Sequence, residues 1–125
     1  MGIRWTQEKL AEYLNNFGKP DIDYGINDTP DKGRESKLQK RCEDFCRRNG
    51  YPYFHDRSRK KNKAGWPDLT ICLPKGRTIF VELKSEKGEL RKEQKKTQQM
   101  MIFLGHEFYK VQSYKKFVEI IRSKI

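Results

Sequence analysis

The chain has 125 residues, enough for one domain with a real core and too few for two. Its 28 Lys and Arg outweigh 17 Asp and Glu, and the net charge of +11 favours polyanionic partners without specifying a fold. Hydrophobic content is only 34%, yet 7 Phe, 6 Tyr and 2 Trp argue against disorder, while no apolar run approaches the roughly 20 residues that span a bilayer.

Taken in chain order, "TQEKLAEYLN" (6–15) predicts a short helix capped by Thr6. The Gly-, Pro- and Asp-rich stretch that follows reads as a linker, so 1–33 is expected to be an N-terminal helix and linker, and 34–125 a single domain. From 34 to 49, Leu38, Cys42, Phe45 and Cys46 recur at helical spacing, with Gly50 as terminator. Cys42 and Cys46, one turn apart on that apolar side, read as core residues rather than zinc ligands. An odd cysteine count and no recognisable export signal argue against a disulfide framework and for an intracellular, cytoplasmic protein.

"YPYFHD" (51–56) suggests a short strand, and "RSRKKNK" (57–63) a basic loop that is either merely solvated or a polyanion-binding patch. A hairpin follows at 68–73 and 77–84. A helix at 89–105, a strand at 106–113 and a final helix at 114–124 complete the order α-β-β-β-α-β-α. That order predicts an α/β fold, a mixed sheet of about four strands flanked by helices.

The hairpin carries charges where apolar residues belong. Side chains alternate along a strand, so Leu69, Ile71 and Leu73 share one face, as do Ile79, Val81 and Leu83. If both triplets cover one core, Asp68 lies opposite Glu82, because a one-residue slip would turn one set to solvent. Lys84 falls on the same face as Glu82. Two carboxylates this close need a compensating cation: Lys84 supplies one charge, and a divalent metal would supply more. A purely structural ion pair at a sheet end would have the same pattern.

Two helical residues strengthen the site reading. At about 100° per residue, Glu35 lies in the middle of the stripe made by Leu38, Cys42, Phe45 and Cys46, with Gln39 beside it. Glu43 falls at the stripe's edge and Asp44 on its far side. In the helix after Gly88, Gln94 shares a side with Leu90, Thr97, Met101 and Leu104, while Lys92, Lys95 and Lys96 point away.

"PD" at 67–68 followed by "ELK" at 82–84 resembles the PD-(D/E)xK nuclease signature. The wider string, an inward Glu35 followed by "LQ", then "GWPDL", "FVELK", a Gly and "EQ" in the next helix, is similar to the VRR-NUC family of that superfamily. The tripeptide that names the family, Val-Arg-Arg, does not occur in the chain. The resemblance covers roughly 35–113 and implies a restriction-endonuclease-like sheet. It implies that Asp68 and Glu82 bind Mg²⁺ or Mn²⁺ with the Leu83 backbone carbonyl, and that Glu35 contributes directly or through water. Lys84 would orient the attacking water or stabilise the transition state, and Gln94 would support Lys84 or contact substrate.

On that reading Arg57, Arg59, Lys60, Lys61 and Lys63 become a clamp on the phosphate backbone, with Lys87 and Arg91 as further candidates. No base-reading motif is present, so selectivity would rest on nucleic-acid shape. The resemblance implies an endonuclease acting on structured DNA: Holliday junctions, flaps or nicks. Symmetric junction cutting needs two sites and therefore implies a homodimer, and a small standalone nuclease suits a phage. The competing expectations are a noncatalytic DNA-binding module on the same scaffold and a basic RNA-binding accessory protein. Neither needs a membrane partner.

Overall fold

The computed structural model describes Thr6, Glu8 and residues 28–56 and 65–125. The expected N-terminal helix (but for Thr6 and Glu8), the linker up to residue 27 and the basic run at 57–63 lie outside the described residues. No helix among the described residues is long and apolar enough to cross a membrane.

Alternation in the hairpin organises the sheet. Strands β2 (Leu69–Leu73) and β3 (Arg77–Leu83) pair antiparallel, with Leu69 opposite Val81, Ile71 opposite Ile79 and Cys72 opposite Thr78. This is the register expected from the apolar triplets, all six of which are buried. The connection is a 3-10 turn, Pro74–Gly76, in which Lys75 and Gly76 both take positive φ. Strand β1 (Tyr53–His55) flanks β2 antiparallel, and β4 (Glu107–Val111) flanks β3 parallel, giving the order β1-β2-β3-β4. A parallel pair needs a crossover, and α2 (Lys92–Phe103) supplies it.

Helices α1 (Glu35–Arg48) and α3 (Tyr114–Ser123) cover the apolar face of the sheet. Leu38, Cys42 and Cys46 of α1 meet Phe117 and Ile121 of α3 over Leu69, Ile71, Ile79, Val81 and Leu83. Phe45 packs edge-on against Phe117 at 5.9 Å between ring centroids. Each large side chain withdrawn from water here contributes about 1.5–3 kcal/mol. Burial raises the Cys46 thiol to about 12 and the Cys42 thiol further still, so both are protonated core residues at neutral pH. The element order is α-β-β-β-α-β-α around a mixed four-stranded sheet, as expected.

Helix α2 packs on the opposite face, burying Gln94, Gln98 and Met101. Leu104, expected on this inward stripe, is 53% exposed. The helix ends at Phe103, and the chain turns away through Gly105 at φ +93° before the stripe completes another turn. At the sheet end far from Asp68, Arg77 donates twice to Glu107, at 2.6 and 3.2 Å, locking β3 to β4. Those bonds hold the Glu107 carboxyl down at about 2.

Gly65 fixes the approach to β2. Its φ is +86°, and an added Cβ would lie 2.5 Å from the carbonyl oxygen of Glu93 and 2.8 Å from Thr97 Oγ1. Gly50 has a similar φ, +73°, but open space around it. Both positions strain an L side chain by about 1–2 kcal/mol, and Gly65 adds a backbone clash. Gly65→Ala should therefore lower the thermal midpoint by clearly more than Gly50→Ala, and equal losses would show that the close approach to α2 is unimportant.

Candidate active site

Charged and polar residues gather where β3 and β4 end and β2 begins. Continuing the register one step beyond Leu69–Val81 places Asp68 opposite Glu82. Asp68 is half-buried, and its Oδ2 accepts a hydrogen bond from the Leu83 backbone N–H at 2.9 Å. Glu82 is only 2% exposed. A carboxylate this deep costs several kcal/mol unless neighbours compensate it. Gln94 Nε2 donates to Glu82 Oε2 at 2.9 Å, and Lys84 Nζ stands 3.6 Å from the same oxygen.

Gln94 has a second task. Its Oε1 accepts from the Arg91 N–H at 2.8 Å, closing the first turn of α2, so one amide fixes both that helix start and the Glu82 carboxylate. Lys84 is positioned from behind. Its N–H donates to the Val111 carbonyl at 3.0 Å, extending the ladder to β4. The following turn closes over its stem at Gly88, where a Cβ would sit 3.1 Å from Lys84 Cβ. Gln112 Nε2 ties that turn to the end of β4 through the carbonyls of Ser85, at 3.0 Å, and Gly88, at 3.3 Å.

Asp68, Glu82, Lys84 and Gln94 are thus brought together, with Leu83 fully buried between the acid and the lysine. Glu35 is placed differently. It is the first residue of α1 and exposed, because burial of the stripe begins one turn later at Leu38. It lines a cavity of about 160 Å³ with Lys84, Ser85 and Gln112, a cavity that neither Asp68 nor Glu82 lines. Among the described residues, no three His, Cys, Asp or Glu side chains are grouped closely enough to hold a metal ion. Lys87 and Arg91 are exposed at this end of the molecule. Arg57, Arg59, Lys60, Lys61 and Lys63 lie outside the described residues.

Several residues at this end escaped the sequence reading. Lys110 pairs with Glu82 across β3 and β4 and is 7% exposed, which puts a second buried ammonium stem on the carboxylate's face of the sheet. Its position two residues after Phe108 in "FYK" was the available signal. Gln98 is 2% exposed, at the helical spacing from Gln94 to Met101. Glu43, expected at the edge of its stripe, is 6% exposed. Gln39 Nε2 draws it in at 2.9 Å and also donates to His55 Nδ1 at 2.8 Å, pinning the end of β1 to α1. Asp56 then follows, its N–H donating to the Asp68 carbonyl at 3.0 Å.

A buried amide donating to a carboxylate contributes about 1.5–3 kcal/mol. Gln94→Ala should therefore lose roughly 2–3 kcal/mol in urea unfolding, whereas a loss below about 0.5 kcal/mol would mean that Glu82 is held by other groups.

A family model described as the VRR-NUC domain matches residues 53–114. The match spans Asp68, Glu82, Lys84 and Gln94 and begins after α1. A solved structure titled "VRR_NUC domain" superposes with a TM-score of 0.62 at 23% identity, covering 73% of this chain and 97% of that one. Comparison with curated protein sequences finds no match. The sequence match, the four-stranded topology and the PD…ELK residues at one sheet end identify the chain as carrying a VRR-NUC domain, a nuclease-type domain consistent with the PD-(D/E)xK pattern.

Proposed function

We propose that the protein is a divalent-metal-dependent endonuclease that hydrolyses phosphodiester bonds in structured DNA. The observation that carries this reading is the convergence of Asp68, Glu82 and Lys84 at one end of the β2–β3 hairpin, within the matched domain. The donor set fits Mg²⁺ or Mn²⁺: hard carboxylate oxygens from two adjacent strands, in the number Mg²⁺ uses when water and substrate phosphate complete its shell. Asp68 and Glu82 would hold the ion, with the carbonyl of Leu83, the residue between Glu82 and Lys84. When bound, the ion supplies positive charge where the phosphoryl oxygens become more negative.

The chain's own groups do the rest. The Leu83 N–H and the Gln94 amide each engage one carboxylate oxygen, so the two acids are oriented before substrate arrives. Lys84, 3.6 Å from Glu82, presents an ammonium that can orient an attacking water and neutralise charge on the phosphate. Water attacks phosphorus in line as the bond to the leaving sugar oxygen breaks. Glu35, on the far side of Lys84, would act through water rather than as a direct ligand. Arg57, Arg59, Lys60, Lys61, Lys63, Lys87 and Arg91 would hold the backbone, and a homodimer would present two sites to a Holliday junction. A net +11 supports the long-range attraction this requires.

A panel of four-way junction, flap, nicked duplex and single strand, each with Mg²⁺ and Mn²⁺, tests the reading. Wild type should cut at least one branched or nicked substrate, and Asp68→Ala and Lys84→Ala should each cut at least about 100-fold more slowly while still binding DNA. Binding without metal-dependent cutting would indicate the noncatalytic module, and preference for RNA hairpins at fixed salt the accessory protein. A Lys84→Ala variant that cuts at the wild-type rate would remove Lys84 from the mechanism.

A further inference from the structure

The cavity beside Lys84 has a composition that the acid pair does not explain. Five cationic side chains line it: Lys32, Arg34 and Lys37 around the start of α1, Arg41 one turn further on, and Lys84. Only Asp31 and Glu35 oppose them. Asp31 is already engaged, since its Oδ2 accepts from the Tyr114 N–H at 2.9 Å and lies 3.7 Å from Arg41. Ser85 and Gln112 add polar lining. At about 160 Å³ the space matches roughly five water molecules of about 30 Å³ each, room for a tetrahedral oxyanion and little more.

The wall carrying Lys32 and Arg34 is built in. Asp28 accepts from the Gln112 N–H at 2.7 Å and from Ser113 Oγ at 2.6 Å. The Asp31 N–H donates to the Gln112 carbonyl at 2.8 Å. With the Tyr114 bond these make a four-bond strap, pinning 28–31 across the turn between β4 and α3. The strap returns the chain to the mouth of the cavity just before α1. Like charges gathered at a small opening repel one another, and an entering anion would relieve that repulsion.

We infer that this cavity receives a phosphate group of the bound strand other than the one being cleaved, so that Lys84 stands between two phosphates. The inference rests on the nuclease reading for the identity of the anion. The shared chemistry is a phosphate oxyanion, supplied either by an internal phosphodiester or by a strand end.

The test is a substitution scan of the substrate read against a variant of the whole protein. Single phosphates of a junction or nicked duplex, including the terminal one, are replaced by neutral groups (methylphosphonate internally, hydroxyl at the end). Binding is measured with Ca²⁺ in place of the active metal. Wild type should lose about tenfold in affinity at one or two adjacent positions. In Arg34→Ala/Lys37→Ala, overall binding should weaken, the salt slope should fall by about one, and that positional penalty should vanish. Lys32→Ala should reproduce a smaller version of the effect. A penalty at the terminal position assigns a strand end, and one at an internal position a phosphodiester; either supports the cavity. An unchanged penalty in the double variant, or wild-type binding by it, overturns the inference. Because no step requires cleavage, a failed nuclease reading would show in the cutting assay and leave this result readable.

Discussion

The site depends on keeping one carboxylate charged inside the protein. Glu82 sits at 2% exposure on the third strand, where an unaccompanied anion would simply take up a proton or push the hairpin apart. Gln94 and Lys84 meet that charge from α2 and from two residues further along the same strand. Their geometry follows from the period of two that carries Glu82 and Lys84 on one face, and from the crossover that lays the start of α2 over that face. Removing the amide would therefore disturb a helix start and a candidate ligand together, so stability and function share a residue here.

Much of this was legible in the chain. Leu69, Ile71 and Leu73 against Ile79, Val81 and Leu83 admit one register, and that register alone puts Asp68 opposite Glu82. The inward amide Gln94 was likewise visible in the helical period. What the pattern could not tell was where a helix stops relative to the sheet beneath it. Glu35 has the azimuth of a buried residue but sits in the first turn, beyond the cover of the sheet, and Leu104 has the same problem just past the end of α2. Lys110 and Glu43 were obscured for another reason. Charge usually marks solvent, and their burial depends on partners distant in sequence.

The stretch before α1 illustrates a further limit. Composition marked 28–33 as linker because Asp, Pro and Gly favour turns. Those same aspartates serve as acceptors for the backbone of the β4–α3 turn, so a segment without regular structure closes one wall of the cavity next to Lys84. Hydrogen bonding to a distant turn has no periodic signature. The consequence is an asymmetric site, with carboxylates on one side of Lys84 and a cationic hollow on the other, an arrangement suited to a substrate that brings several negative charges at once.

The most direct measurement of the central claim is an anomalous-difference map from crystals of the protein grown with Mn²⁺. A peak is expected within roughly 2.1 Å of carboxylate oxygens of both Asp68 and Glu82, with Lys84 beside it. A peak bound elsewhere, with that pair bare at saturating Mn²⁺, would contradict it.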